Sequence, residues 1–273
     1  AGRGPDEDGH TVYARSVSHR RLPTPAPATK VRTEAGGRTV YDCAQAHHPP
    51  LYYALVGGIY ALAGHSDGML PAIGRIVSVL AGLAALLLAR GAMHRAFPDR
   101  PLGVAAGLAL AAASPTFTYM MGALNNEALA VTMVCAGLYA GVRAVKGAHP
   151  RWWLVILGVV LGLGLLTKLT AVVIVVPLLA AAWAVSGREA PGRWRRAAKG
   201  AALGLGIAAV MIGPWLARNY LVAGKVVFNC ASRTPMFGSW AEVIWNPDAT
   251  TLATGLTLEE IVAGSWWPEW LLR

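Results

Sequence analysis

The chain has 273 residues, of which 55% are hydrophobic and 14% are charged, and its mean hydropathy is +0.46. In soluble domains about a quarter of all residues are charged. The low charged fraction here therefore excludes an ordinary soluble enzyme and predicts a polytopic membrane protein. The net charge of +10 comes from basic residues that cluster between apolar runs rather than along a groove. We therefore expect a lipid bilayer, and no nucleic acid, as a partner.

The first 69 residues are predicted to form an external juxtamembrane loop with interfacial helices. Val12, Tyr13 and Val17 have helical spacing, which indicates a short helix lying on the membrane. The apolar segment 50–64 is too short for a comfortable crossing, and we interpret it as an interfacial or re-entrant helix. The polar segment 28–46 between them is expected to be mobile.

The region 70–222 is predicted to be an all-α bundle of six transmembrane helices. The six apolar stretches are 70–90, 101–122, 126–145, 152–166, 169–185 and 197–222. A single helix over the fourth and fifth stretches, 152–185, would reach roughly 50 Å, against a hydrocarbon core of about 30 Å. Thr167-Lys168 interrupts it, and the glycines before this pair would let neighbouring helices approach closely.

Basic residues fall in alternate loops of this bundle. The basic loops are 90–100, 143–151 and 186–199. The turns on the other side contain a single Lys or Arg residue, Lys168. Because positively charged loops face the cytoplasm, an even number of crossings puts residues 1–48 and 223–273 outside. We therefore expect a multi-pass protein of the cell membrane with an extracytoplasmic site.

The ends of the chain suggest that it is part of a longer protein. It begins at Ala1, and residues 223–273 form an external loop whose aromatic run at 265–268 indicates the approach to a further span. Cys43 and Cys230 both fall in external loops, where a disulfide between them is one possibility.

The predicted topology brings charged and amide side chains to the external face. They are Asp6, Glu7, Asp8, Arg75, Asn125, Asn126, Glu127, Lys168, Arg218 and Asn219. Carboxylates and cations at one water–lipid boundary suit a phosphate-bearing lipid and the removal of a proton from an acceptor. Simpler explanations exist: Arg75 and Arg218 could extend to lipid headgroups, and Glu127 could be an ordinary residue at a helix N-terminus. The acids at 6–8 could belong to a solvated loop.

At these residues the chain resembles the GT-C superfamily of membrane glycosyltransferases, in particular its protein O-mannosyltransferase and aminoarabinose-transferase branch. The motifs that carry the resemblance are Asp6-Glu7, the run Pro49 to Tyr53, Arg75 with Ser78, Asn126-Glu127, Thr167-Lys168, and Pro214-Trp215 through Arg218-Asn219. The pair at 126–127 departs from the family pattern, because it ends in Glu where Asp is commoner.

The resemblance implies a polyprenyl-phosphate sugar as donor and transfer with inversion to an acceptor that the sequence does not identify. Asp6 would be the general base, and Glu7 or Glu127 would assist it. The candidates for binding donor and acceptor are His10, His48, Tyr52, Arg75, Asn126, Lys168 and Arg218. The three cations among them would hold the leaving lipid phosphate. Some branches use a divalent metal ion, so the metal requirement stays open.

Two other functions fit a polytopic chain. A secondary transporter would place charges near the bilayer midplane and often shows an inverted repeat. Here the charges gather towards one end of the helices, and the sequence shows no internal repeat. A non-catalytic membrane subunit would tolerate the loss of Asp6 and Lys168.

Overall fold

The computed structural model describes residues 7–23, 45–66, 68–147, 149–187, 191–224 and 226–227, and the backbone of 31–34 and 38–41. The helices in chain order are α1 (Glu7–Ser18), α2 (Leu51–Leu62), α3 (Met69–Ala96), α4 (Pro101–Ala113), α5 (Pro115–Gly122), α6 (Glu127–Lys146), α7 (Pro150–Thr167), α8 (Val175–Val185) and α9 (Arg193–Ala223). A 3-10 helix, Leu169–Ile174, leads into α8. The predicted all-α membrane fold is confirmed. The described part of the chain adds to it one antiparallel hairpin, β1 (Val31–Glu34) with β2 (Arg38–Tyr41), which the sequence analysis did not predict.

Four helices, namely α3, α6, α7 and α9, are long and apolar enough to cross a membrane. A fifth candidate consists of α4 and α5, which meet at a bend of 60°. The bend falls at Ser114, whose backbone is extended because Pro115 follows it. The stretch 169–185 forms a shorter apolar helix. Helices therefore occupy all six predicted stretches, while six complete crossings stay a prediction.

The predicted interruption at Thr167-Lys168 is confirmed. Helix α7 ends at Thr167, Lys168 has an extended backbone (φ −158°, ψ 136°), and the 3-10 helix begins at the next residue. The break places a lysine between two apolar segments at one end of the bundle.

Helices α7 and α9 pack backbone to backbone. A Cβ atom built on Gly158 would lie 2.7 Å from the carbonyl oxygen of Gly204 and 2.8 Å from its Cα. Leu157 and Leu161 of α7 are fully buried in the surrounding apolar cluster, which also contains Leu178 of α8. The expected role of the α7 glycines in close helix packing is therefore confirmed.

The predicted short helix in the first loop is confirmed as α1, which packs against α2. A Cβ atom on Gly57 would lie 2.6 Å from the carbonyl oxygen of Ala14, so the two helices nearly touch there. Tyr13, Tyr52 and Tyr53 are fully buried at this contact. The position of α1 relative to the membrane surface stays a prediction.

Some of the predicted features lie outside the described residues. They are Asp6 as general base, the Cys43–Cys230 disulfide and the external loop beyond residue 227.

Candidate active site

The carboxylate of Glu7 lies in a buried position where three parts of the fold meet. Glu7 begins α1, and its side chain is 2% exposed. Arg75 of α3 donates from Nε to Oε1 at 2.9 Å and from Nη2 to Oε2 at 2.8 Å. The backbone N–H of Leu124, shortly before α6, donates to the same Oε1 at 3.1 Å. Charge-assisted forks of this kind are strong and directional, so Glu7 fixes α1 to α3 and to the segment before α6.

A column of aromatic rings joins α1 to α2 and to the loop before α2. Between ring centres, Tyr13 is 3.8 Å from Tyr53, and Tyr53 is 5.7 Å from His10. His10 is 5.8 Å from His48, and every pair in the column lies within 13° of parallel. A 2.6 Å hydrogen bond joins His10 Nδ1 to the Tyr53 hydroxyl, and the Tyr13 hydroxyl donates to the His48 carbonyl at 3.1 Å. The column therefore holds the loop before α2 directly against α1.

Lys168 and Glu127 form an ion pair between the break after α7 and the first residue of α6. Their side chains are 21% and 35% exposed, respectively, so the pair is reached by water. The two charges are 41 residues apart in the chain and come together only because α6 and α7 pack side by side.

Two adjacent amide side chains fix the geometry around this ion pair. Asn125 Oδ1 accepts hydrogen bonds from the backbone N–H groups of Glu127 at 2.9 Å and Ala128 at 3.4 Å. These bonds satisfy donors that the first turn of a helix otherwise leaves free. Asn126 is 1% exposed, and its Nδ2 donates to the Thr167 carbonyl at 3.1 Å. The start of α6 is thus bonded to the end of α7, one residue before Lys168.

Three histidines gather beside this lysine. Burial lowers the pKa of His10 from 6.5 to about 4, and the nearby charges of Lys168 and His47 lower it further, while Glu7 opposes them. Burial and then Lys168 lower the pKa of His47 to about 4. Burial lowers the pKa of His48 to about 2, with His47, His10 and Lys168 adding to the effect. At neutral pH all three imidazoles are therefore uncharged and can both donate and accept hydrogen bonds.

Tyr52 has a partner inside the protein. It is fully buried in α2, and its hydroxyl donates to the Gly74 carbonyl at 3.2 Å and shares a 2.9 Å hydrogen bond with the Ser78 hydroxyl. Its contacts therefore join α2 to α3 below the Glu7–Arg75 pair.

Arg218 lies near the C-terminal end of α9 and reaches the chain that leaves α1. Its Nη2 donates to the Pro23 carbonyl at 2.6 Å, and its Nη1 donates to Asn219 Oδ1 at 3.2 Å. The guanidinium carbon lies 4.9 Å from the centre of the Trp215 ring. Burial raises the pKa of Tyr13 above its usual range, and the positive charge of Arg218 opposes this shift. Arg218 therefore borders the same end of the bundle as the ring column.

The predicted residues form two groups at this end. The first joins Glu7 to Arg75, and the second joins Glu127 and Lys168 to the histidines. The described residues contain no group of three or more His, Cys, Asp or Glu side chains placed to hold a metal ion. The divalent metal considered from the sequence thus has no fitting ligand set within the described ranges.

The sequence analysis did not assign three residues to the site. They are Tyr13, His47 and Tyr53. Their contacts are formed by tertiary packing, so residue type alone provided little signal. His47 and Tyr53 did have one available signal, since they flank the Pro49-Pro50 pair within a single motif.

Comparison with known proteins identifies the family. A sequence model described as dolichyl-phosphate-mannose-protein mannosyltransferase matches residues 47–217, which is more than half of the chain. This range begins at His47 and contains Glu127 and Lys168. No curated protein and no solved structure matches the chain. The chain belongs to the dolichyl-phosphate-mannose-protein mannosyltransferase family, whose members are membrane glycosyltransferases of the GT-C type.

Proposed function

We propose that this protein transfers a sugar from a polyprenyl-phosphate donor to an acceptor hydroxyl at the extracytoplasmic face of the cell membrane. The observation that carries the proposal is the Lys168–Glu127 ion pair, whose lysine lies within electrostatic range of three neutral histidines at the first-loop end of the bundle. A water-accessible cation beside uncharged hydrogen-bonding groups suits a phosphate attached to a sugar.

Sidedness follows from the two ends of α6. Glu127 begins this helix and Lys146 ends it, so they lie about 30 Å apart at 1.5 Å per residue. The Lys146 end carries the basic loops, and positively charged loops face the cytoplasm. The Glu127 end, with Lys168 and α1, would therefore face the outside.

Catalysis would depend on stabilising the negative charge that develops on the leaving phosphate. As the bond between the sugar C1 and the phosphate oxygen breaks, negative charge builds on the phosphate, and a fixed cation stabilises that charge. Lys168 is the best placed cation for this role, because its partner Glu127 is reached by water, whereas Arg75 is held by two hydrogen bonds to the buried carboxylate of Glu7. Arg218 would contribute a second positive charge while it holds the Pro23 carbonyl.

The acceptor would be activated by Asp6. In one displacement with inversion, the acceptor oxygen bonds to C1, its proton passes to the Asp6 carboxylate, and polyprenyl phosphate leaves. Glu7 follows Asp6 directly in the chain and is fixed to Arg75 and Leu124. We assign Glu7 as a positioning residue on this basis. Glu127 would orient Lys168, and His10 and His48 would bind hydroxyl groups of the substrates.

Lys168→Gln tests the proposed phosphate site. The full protein is reconstituted in vesicles with polyprenyl-phosphate mannose, and release of polyprenyl phosphate is measured. We expect a loss of about 10²-fold or more, partial recovery in Lys168→Arg, and no loss in Lys199→Gln at the opposite end. Wild-type turnover by Lys168→Gln would remove the phosphate role. Entry of mannose into the vesicles without release of lipid phosphate would favour a transporter instead.

Sidedness has its own test. Two single-cysteine variants, His19→Cys and Arg195→Cys, are made in a background free of other cysteines. Each places one thiol at an exposed position, and the two positions lie at opposite ends of the bundle. In intact cells we expect a membrane-impermeant thiol reagent to modify only the first. The reverse pattern would place α1 inside the cell and contradict the proposed orientation.

A further inference from the structure

The basic end of the bundle contains a ladder of two aromatic rings between two arginines, and this ladder belongs to no part of the proposed transferase site. The Arg95 guanidinium carbon lies 5.1 Å from the centre of the Tyr139 ring. That ring meets Trp153 edge to face at 6.0 Å, and the Arg143 guanidinium carbon lies 4.7 Å from the Trp153 ring. The ladder therefore crosses α3, α6 and α7.

Lys146 adds a third cation to the ladder. Its Nζ donates to the carbonyl oxygens of Arg95 at 3.2 Å and Ala96 at 2.9 Å, at the C-terminal end of α3. An ammonium group has three N–H donors, so one remains for another acceptor. Lys146 is thereby held beside Arg95 rather than extended freely into solvent.

The three cations lack a negative partner within the described part of the protein. The described residues place no carboxylate in an ion pair with Arg95, Arg143 or Lys146. Arg143 Nε is also buried without a hydrogen-bond partner among the described residues. Rings and carbonyl groups already hold these three side chains in place. The side chains therefore lose little conformational entropy when they bind an anion.

The surroundings of the ladder fit a lipid rather than a soluble anion. Its helices carry exposed apolar side chains within about two turns of the cations or rings of the ladder, including Leu87 of α3, Leu138 and Val145 of α6, and Trp152 of α7. An anion bound here would thus have an apolar, lipid-facing surface beside it. Exposed tryptophans with adjacent cations are typical of the level of lipid headgroups.

We infer that the Arg95–Arg143–Lys146 ladder is a binding site for the phosphodiester headgroup of an anionic phospholipid, whose acyl chains lie along α3, α6 and α7. The inference rests on membrane insertion and not on the transferase reaction. The test of this inference therefore measures lipid binding and not sugar transfer.

The test compares phosphatidylglycerol with phosphatidylcholine. The full protein is placed in nanodiscs of phosphatidylcholine doped with phosphatidylglycerol, and the lipid bound after transfer to neutral detergent is measured by mass spectrometry. We expect retained phosphatidylglycerol in the wild type and roughly thirtyfold weaker retention in Arg143→Gln/Lys146→Gln. The matched control, Arg195→Gln/Lys199→Gln, removes two exposed charges from the same end and should change retention by less than about threefold.

A single substitution controls for a folding defect in the double variant. Lys146→Gln changes one exposed side chain, and we expect about fivefold weaker retention with an unchanged unfolding midpoint in pure phosphatidylcholine. Equal losses in the ladder and control variants would show diffuse attraction only and overturn the site. Equal retention of the two lipids would overturn it as well. Displacement of the lipid by soluble glycerophosphate at the same concentration would assign the site to a free phosphate ester and overturn the lipid assignment.

Discussion

Glu7 and Arg75 are 68 residues apart in the chain, and they form a bidentate ion pair in which the Glu7 side chain is buried and the Arg75 side chain is 41% exposed. This asymmetry decides what the loss of each partner does. Without Glu7, the Arg75 side chain can extend into water. Without Arg75, the buried carboxylate loses both guanidinium hydrogen bonds, and removing the opposite charge from a buried ion pair is costly.

Arg75→Gln is therefore expected to destabilise the protein more than Glu7→Gln. We expect about 3 kcal/mol for Arg75→Gln and about 1–2 kcal/mol for Glu7→Gln, measured by thermal unfolding in detergent. Arg15→Gln, on the exposed side of α1, is the control and should have little effect. If the two variants of the pair were equally stable, the carboxylate would not depend on the guanidinium.

Two neighbouring asparagines should respond differently to the same substitution. Asn125 Oδ1 accepts from two N–H groups of the first α6 turn, and its Nδ2 donates to the Met120 carbonyl at 3.2 Å. Asn125→Asp therefore keeps both bonds to the helix and adds a favourable charge at its N-terminus, which offsets the lost bond to Met120. Asn126 donates to the Thr167 carbonyl, so Asn126→Asp replaces a hydrogen bond by a repulsion between two oxygens. We expect Asn125→Asp to change the unfolding free energy by less than about 1 kcal/mol and Asn126→Asp to cost about 1–3 kcal/mol.

The readout for this pair is thermal unfolding together with sugar transfer. Because Asn126 fixes the residue before Lys168, its variant should also lower turnover, whereas the Asn125 variant should not. Equal behaviour of the two variants would contradict the assigned donor and acceptor roles.

The three histidines predict a loss of stability in acid. Their pKa values, about 4 for His10 and His47 and about 2 for His48, lie below the unfolded value of 6.5. Between the folded and unfolded values the unfolded chain binds more protons, so stability is complete above about pH 6.5 and falls as the pH drops. Each histidine can contribute up to about 1.4 kcal/mol per pH unit in this window.

His47→Gln isolates this effect from the protonation of carboxylates. The variant should show a flatter dependence of the unfolding midpoint on pH between neutral pH and about pH 4.5. His94→Gln, at an exposed position on α3, should keep the wild-type slope. An unchanged slope in His47→Gln would mean that this imidazole is not held neutral by the fold.

The features that the sequence predicted well are local. Lys168 follows a threonine inside an otherwise apolar run, and a membrane helix cannot continue comfortably through a charge, so the break was predictable. The helix in the first loop was predictable from the spacing of Val12, Tyr13 and Val17. In both cases the signal lies within one or two helical turns.

The partners within the site could not be predicted in the same way. Charge type and sidedness placed Glu7 and Arg75 at one end of the bundle, and both were expected to act on substrate. Which charge meets which depends on how α1 lies against α3, and that packing is set by buried aromatic residues such as Tyr13 and Tyr53. The sequence pattern therefore predicted that these residues gather at one end of the bundle, and tertiary packing decided which of them pair with each other.

The position of α1 depends on one glycine in α2, and this dependence can be measured. Gly57 faces the backbone of α1, where a Cβ atom would lie 2.6 Å from the Ala14 carbonyl oxygen and 3.1 Å from the Ser18 nitrogen. A Cβ atom on Gly58, the next residue, would have no neighbouring atom of the described chain within 4 Å. The two glycines lie in the same helix and differ only in what they face.

Gly57→Ala should push α1 away from α2, because a backbone carbonyl cannot move aside as the end of a flexible side chain can. We expect a cost of about 1–3 kcal/mol in unfolding free energy, together with lower turnover, since α1 carries Glu7 and follows the proposed base Asp6. Gly58→Ala should be neutral or stabilise the helix by up to about 1 kcal/mol, because alanine loses less backbone entropy than glycine. Thermal unfolding and transfer assays on both variants give the comparison. Normal turnover in Gly57→Ala, with the expected loss of stability, would show that the reaction tolerates a displaced α1, and the catalytic base would then have to be sought outside the first loop.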